Sequence, residues 1–160
     1  MPVPASFDTH TVRYISTGLE ALLGMRFVAA SCEGVALTWT VTPLLLAPNG
    51  RLHHGVISAA IESAASTAAG LWLGDHGRVV GVSNTVDHFV GVSEGDLVAT
   101  STAVFRDQHE QVWDVTVTDH NRGIIARGSV RLQNITSSRR YESVHTNRFG
   151  MKTNQQPERS

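Results

Sequence analysis

Apolar positions recur at two different periods along this chain. Between Phe7 and Leu23 they fall at three- and four-residue steps (Val12, Ile15, Leu19, Leu22, Leu23), which predicts a first helix. Ser6 or Asp8 can cap its start and Gly24 can end it. The period then drops to two. Phe27 to Ser31 and Val35 to Thr42 read as strands joined by a turn at Cys32-Glu33-Gly34. In the second strand Leu37, Trp39 and Val41 share one face, and Thr38, Thr40 and Thr42 share the other. Pro43 has no amide to donate and ends that strand. A loop from Leu44 to Arg51, with turn chemistry at Pro48-Asn49-Gly50, leads to a long helix from His54 or Gly55 to Leu73, closed by Gly74. Four strands follow and are expected in hairpin order: Val79 to Phe89, Asp96 to Phe105, Gln111 to Thr118, and Ile124 to Leu132. Trp113, Val115 and Val117 make one face of the third. Ile124, Ala126, Gly128, Val130 and Leu132 make one face of the fourth.

The long helix is built from small residues, among them Ala59, Ala60, Ala64, Ala65, Ala68, Ala69 and Gly70. Small side chains nearly all round predict that other elements approach it on most sides. The pattern is α+β: one twisted antiparallel sheet of five or six strands wrapped around a long central helix. The mixed second face of Asp96 to Phe105 and of Gln111 to Thr118 leaves one sheet face for a partner or solvent. Residues 1–135 are read as a single domain with its N-terminal helix. Residues 136–160 are read as a polar, flexible tail, because periodic apolar positions stop there and basic residues (Arg139, Arg140, Arg148, Lys152, Arg159) outnumber acidic ones (Glu142, Glu158).

Composition narrows the classes. The chain has 160 residues, a single domain's worth, and a formal net charge of -1, so no broad basic field exists to hold nucleic acid. Charged residues are only 17%, against about 25% in an average domain, which predicts surface buried against other copies of the chain. No uninterrupted apolar run reaches the roughly 20 residues of a membrane span, and the first residues lack the pattern of a secretory leader. Cys32 is the single cysteine, which excludes an internal disulfide and a thiolate zinc cluster. A reducing, cytoplasmic setting without nucleic-acid or membrane partners is expected.

Within the long helix one ionisable side chain stands among Ala, Ile, Leu and Trp: Glu62. A carboxylate in such surroundings is costly unless it is paired or hydrogen-bonded. Ser58 and Ser66 lie four residues to either side, on the same helical face. His53-His54-Gly55 stands where loop becomes helix. Free amides at a helix N-terminus, with the positive end of the dipole behind them, can hold an oxyanion. An acid two turns further along supplies a base or nucleophile, which completes a minimal acyl-transfer set. Two plainer roles stay open: Glu62 accepting hydrogen bonds at a subunit seam, and His53 acting as a cap. The paired histidines lack the spacing of a metal site, so no metal is expected.

The run Gly50-Arg51-Leu52-His53-His54-Gly55-Val56, with Glu62 nine residues after His53, resembles the motif of hotdog-fold acyl-CoA thioesterases of the phenylacetate-pathway and 4-hydroxybenzoyl-CoA thioesterase group. Further similarity lies in Val80-Gly81-Val82-Ser83-Asn84, in Phe89 and Val92-Ser93-Glu94-Gly95-Asp96, and in Trp113 to Val117 with the Asp119 to Gly123 turn. The resemblance covers about residues 20 to 133. It implies that Glu62 attacks the thioester carbonyl or activates water, and that the His54 amide holds the carbonyl oxygen. It further implies that His53 orients the thioester or helps the thiol leave, and that Ser66 positions the water. Asn49, Gly55, Ser58, Asn84 and His88 are taken as substrate-binding. The implied site lies between subunits of a homodimer or homotetramer, and the implied chemistry needs no cofactor, CoA being part of the substrate.

Three positions depart from the family pattern. Ala47 stands where relatives carry a carbonyl-polarising glutamine. His54 stands where they carry glycine, and Val90-Gly91 where they carry Arg-Pro. Arg78, Arg106, Arg127, Arg131 and the tail arginines remain as candidates for the CoA phosphates. The leading expectation is thioester hydrolysis of an acyl-CoA. The first alternative is a non-catalytic module that binds an acyl-CoA or aromatic ligand. A hydratase using Asp87 and His88 ranks third.

Overall fold

The computed structural model describes residues 18–121 and 123–136. A short helix α1 (Leu19–Leu22) precedes strands β1 (Arg26–Ser31) and β2 (Gly34–Val41). After a 3-10 turn at Pro43–Leu45 comes helix α2 (His54–Leu73), then strands β3 (Gly77–His88), β4 (Gly95–Arg106), β5 (Glu110–Asp119) and β6 (Ile124–Thr136). The expected start of the first helix and the expected tail lie outside the described residues. The last strand runs on to Thr136, because Asn134 and Gln133 still pair with Val79 and Val80 of β3.

All six strands form one antiparallel sheet in the order β1-β2-β4-β5-β6-β3. Hairpin order therefore fails at one place: β3 pairs with β6 and not with β4. The link from β3 to β4 is tied down elsewhere. Phe89 and Val90 donate to Ile125 O (2.9 and 3.3 Å), and Leu52 donates to Val92 O at 2.7 Å. Those bonds carry the chain across the start of α2 to the other side of the sheet. As a result β3 is an edge strand, and most of its side chains are exposed.

The sheet wraps α2 on one side. Trp39, Leu37, Leu97, Trp113, Val115, Val117, Val130 and Leu132 meet Ile57, Ile61, Ala64 and Ala68, all essentially inaccessible to solvent. Small residues set the spacing. A Cβ at Gly128 of β6 would sit 2.8 Å from Ile61 Cγ2, so only glycine allows this approach of helix and sheet. Among the described residues all six strands and α1 pack against the helix, and no residue from Val56 to Leu73 is fully exposed. Val56, Ile57, Ala60, Ile61, Ala64, Ala65, Ala68, Ala69 and Leu73 are buried, whereas Ser58, Ala59, Glu62, Ser63, Ser66 and Thr67 are only half-buried. The inner strands cover the buried flank of the helix, and the polar stripe lies toward the edge strand β3.

One end of the core is closed by a hydrogen-bonded cluster. Gln111, fully buried, donates to Ala69 O (3.2 Å) and Asn134 Oδ1 (2.8 Å) and accepts from Trp113 Nε1 (3.0 Å). Beside it the Arg106 guanidinium lies over the Trp72 and Trp113 rings and pairs with Glu33.

Candidate active site

The site is built where the start of α2 meets the end of β3. His53 is the N-cap: its extended backbone (φ -63, ψ 128) precedes the first turn, and its Nδ1 accepts from Gly55 N at 2.9 Å. An accepting Nδ1 places the ring proton on Nε2, an assignment made from the hydrogen bond. A Cβ at residue 55 would stand 2.9 Å from that Nδ1, so Gly55 is required by the cap. The His53 carbonyl in turn receives Val56 N at 2.9 Å. Capping is thus what His53 does in this chain. It leaves the His54 amide, which has no acceptor among the described residues.

The polar stripe of α2 faces β3. Residues of β3 that pair with buried positions of β6 point inward: Gly81 opposite Leu132, Asn84 opposite Val130, His88 opposite Ala126. Each meets one turn of the helix. Asn84 Nδ2 donates to Ser58 O at 3.1 Å. Gly81 lies against Glu62, where a Cβ would come 2.8 Å from Oε1. The His88 ring stacks on the His54 ring with centroids 3.8 Å apart and planes 8° from parallel. Ser66 Oγ donates to Glu62 Oε1 at 2.8 Å, which fixes the carboxylate and leaves Oε2 for another partner. Ser58 Oγ donates back to His54 O at 3.2 Å and does not reach the carboxylate.

His88 Nδ1 is buried without a partner among the described residues. Burial chiefly, and then the His54 ring, lower the pKa of His88 below the usual imidazole range, against a smaller opposing pull from Asp87. Asn49 is not brought to the stripe; its Oδ1 accepts from Arg51 N at 3.1 Å and shapes its own turn. Among the arginines considered for phosphate, Arg106 is held by Glu33 and Arg131 lies 3.8 Å from Glu110. Arg127 lines a depression of about 340 Å³ with Thr85, Asp87, Asp114, Thr116 and Ser129. That depression is on the opposite face of the sheet, since Asp114 and Thr116 alternate with buried Trp113, Val115 and Val117. No part of the acyl-transfer set reaches it.

Two residues of the site carried no signal in the helix pattern. Gly81 makes room for the Glu62 carboxylate. Val82, the extra residue of a β-bulge between Gly81 and Ser83, breaks the alternation of β3 beside it. A glycine inside a strand pattern is the one available hint of such a close approach.

One distance governs what this arrangement can do. His54 and Glu62 are eight residues apart on one helix, about 12 Å along its axis at 1.5 Å per residue. Ser66, further toward the C-terminus, holds the carboxylate away from the helix start. That axial spacing sets the amide and the acid of one chain about two turns apart.

A family model described as "Thioesterase superfamily" matches residues 49–126, which include all nine of the candidate residues. A Mycobacterium tuberculosis (strain H37Rv) protein described as a candidate esterase is 39% identical over 124 residues, 76% of this chain and 89% of that one. Its solved structure superposes with a TM-score of 0.72, covering 74% of this chain and 96% of that one. The crystal structure of AziG from S. sahachiroi is 41% identical, with a TM-score of 0.74, covering 75% and 98% of the two chains. The 1,4-dihydroxy-2-naphthoyl-CoA hydrolase of Listeria monocytogenes (strain 10403S) is 27% identical over 108 residues, 68% of this chain and 88% of that one. Sequence match and superposition cover the same helix and sheet, and the chain belongs to the thioesterase superfamily, with its hotdog fold.

Proposed function

We propose that this protein is an acyl-CoA thioesterase that converts an acyl-CoA and water into a carboxylic acid and free CoA, with Glu62 as base or nucleophile. The observation that carries this reading is a carboxylate fixed by Ser66 on the open flank of α2, on a helix whose first amide is unpartnered. In the base form, Glu62 takes a proton from water as the water oxygen bonds to the thioester carbon. The carbonyl oxygen becomes an oxyanion and accepts from the His54 N–H. Collapse breaks the C–S bond, and the thiolate leaves as CoA after taking up a proton. In the nucleophile form, Glu62 bonds to the carbon first and the C–S bond breaks, releasing the thiolate, which takes up a proton as CoA; water then cleaves the resulting anhydride to the acid and restores the Glu62 carboxylate. A positioned base contributes about 10²–10⁴-fold, and an amide on the oxyanion about 10²–10³-fold. CoA enters as part of the substrate, and neither form draws on a cofactor or metal.

The rise of about 12 Å along the helix axis between His54 and Glu62 supports a homodimer, alone or within a homotetramer, in which the acid of one copy faces the helix start of the other. The exposed, singly paired β3, running beside the stripe, is the edge along which two copies would meet. The name of the Listeria relative supports a CoA thioester as substrate class. A cytoplasmic setting fits a CoA substrate.

Thiol release from a panel of acyl-CoAs, with native protein and Glu62→Gln, tests the reading. Loss of at least 100-fold in kcat with an unchanged oligomer by light scattering is expected. Undiminished turnover by Glu62→Gln would remove Glu62 from the chemistry. Ala47 favours one other reading, a module that binds acyl-CoA without cleaving it, because no amide side chain polarises the carbonyl there. Calorimetric binding of acyl-CoA with no thiol release over hours would select that reading.

A further inference from the structure

The His54 amide serves the proposed reaction only if a carbonyl oxygen can reach it, and His54 carries an imidazole on the same residue. A glycine at the helix start would leave that approach open; a five-membered ring free to turn about χ1 would sweep across it. In this structure the ring is held against His88, 3.8 Å away and 8° from parallel. We propose that His88 is a positioning residue: by stacking on the His54 ring it parks that ring clear of the His54 N–H and keeps the amide open to a thioester carbonyl. This inference rests on the thioesterase reading above.

Three observations support it. His88 is the last residue of β3 and pairs with fully buried Ala126, so its ring is fixed inward over the start of α2 by the register of the sheet. Its Nδ1 is buried with no hydrogen-bond partner among the described residues, and the ring packs face to face on His54. Stacked rings at this distance tolerate poorly a charge on both, and burial together with the His54 ring lowers the pKa of His88. The ring therefore acts as a flat surface. His53 cannot do this work, because its Nδ1 is committed to Gly55 N.

A double-mutant cycle separates parking from direct contact with substrate. kcat/KM for one well-turned-over acyl-CoA is measured for native protein, His88→Ala, His54→Gly and the double variant. His88→Ala is expected to lose at least tenfold. In the His54→Gly background the same change is expected to cost less than twofold, because no ring remains to park. His88→Phe, which keeps a flat face without nitrogens, is expected to stay within about threefold of native and guards against a folding defect in His88→Ala. Equal losses from His88→Ala in both backgrounds, or a His88→Phe as poor as His88→Ala, would overturn the proposal while leaving thioester hydrolysis standing. Absence of turnover by native protein on every acyl-CoA would instead overturn the thioesterase reading. The same cycle is then read as Kd for an acyl-CoA analogue with a methylene in place of sulfur, whose carbonyl still seeks the amide. Coupling between the two positions supports parking, and its absence refutes it.

Discussion

Gly81→Ala perturbs the carboxylate of Glu62 without touching Glu62 itself. The added Cβ would stand 2.8 Å from Oε1, 3.6 Å from Cδ and 3.9 Å from Oε2. Ordinary contact begins near 3.4 Å, so the carboxylate must retreat by about 0.6 Å or rotate. The neighbour is the far end of a flexible side chain, and the backbone at Gly81 is extended and open to alanine. The cost to folding is therefore small and is offset by the smaller entropy of the unfolded chain, worth about 0.4–1 kcal/mol for such a substitution. The cost to function is not small. Retreat stretches or breaks the 2.8 Å bond from Ser66, and a misplacement of about 1 Å in a reacting group can cost on the order of 10²-fold in rate. Expected values are a kcat lowered by about 10- to 100-fold and an unfolding free energy within about 1 kcal/mol of native. Gly128→Ala supplies the contrast on the neighbouring strand. There the new Cβ meets Ile61 Cγ2 at 2.8 Å, Ile61 Cδ1 at 3.0 Å and the Thr85 carbonyl oxygen at 3.0 Å, and backbone cannot turn aside. Overpacking of that kind costs about 1–3 kcal/mol. Urea unfolding and thiol-release kinetics on both variants make the comparison. Full kcat in a folded Gly81→Ala would mean that the position of the Glu62 carboxylate does not limit the reaction.

Two other outcomes follow from buried polar groups. Gln111→Leu strips the Trp113 indole N–H and Asn134 Oδ1 of their partner at a fully buried position, and a loss of about 2–4 kcal/mol in urea unfolding is expected at the usual cost of orphaned groups; a loss below 0.5 kcal/mol, on the order of an ordinary surface change, would show that the cluster is dispensable. For His88 the sign runs toward acid sensitivity. Its native pKa is lowered, so above the unfolded value near 6.5 both states are neutral and the stability is intact. As pH falls through the window below 6.5 the unfolded chain binds the proton first, and stability declines until the native pKa is passed. Denaturation at pH 8 and pH 5.5 should show a larger drop for native protein than for His88→Phe, and equal drops would contradict the lowered pKa.

What the sequence made legible follows from which interactions are local. Strand alternation at Leu37, Trp39 and Val41, the cap at His53, the stop at Gly74 and the polar stripe of Ser58, Glu62 and Ser66 all depend on neighbours within four residues, and each lies where the pattern places it. Hairpin order failed for β3 because its partner is chosen by bonds more than 30 residues away, from Phe89 to Ile125 and from Leu52 to Val92. The same long-range choice brings Gly81, Asn84 and His88 over α2, and no local period encodes that. The small-residue pattern of α2 asks for neighbours on most sides; among the described residues the inner strands bury one flank, and β3 leaves the other half-buried. Ala59, Thr67 and Gly70 are as spare as the buried residues, yet they flank the half-open stripe. A helix shaped for contact on a flank that the described residues leave half-buried is what a second copy would need. The same flank holds Glu62, set about 12 Å along the helix axis from the His54 amide, and under the proposed reaction a second copy would bring the two together.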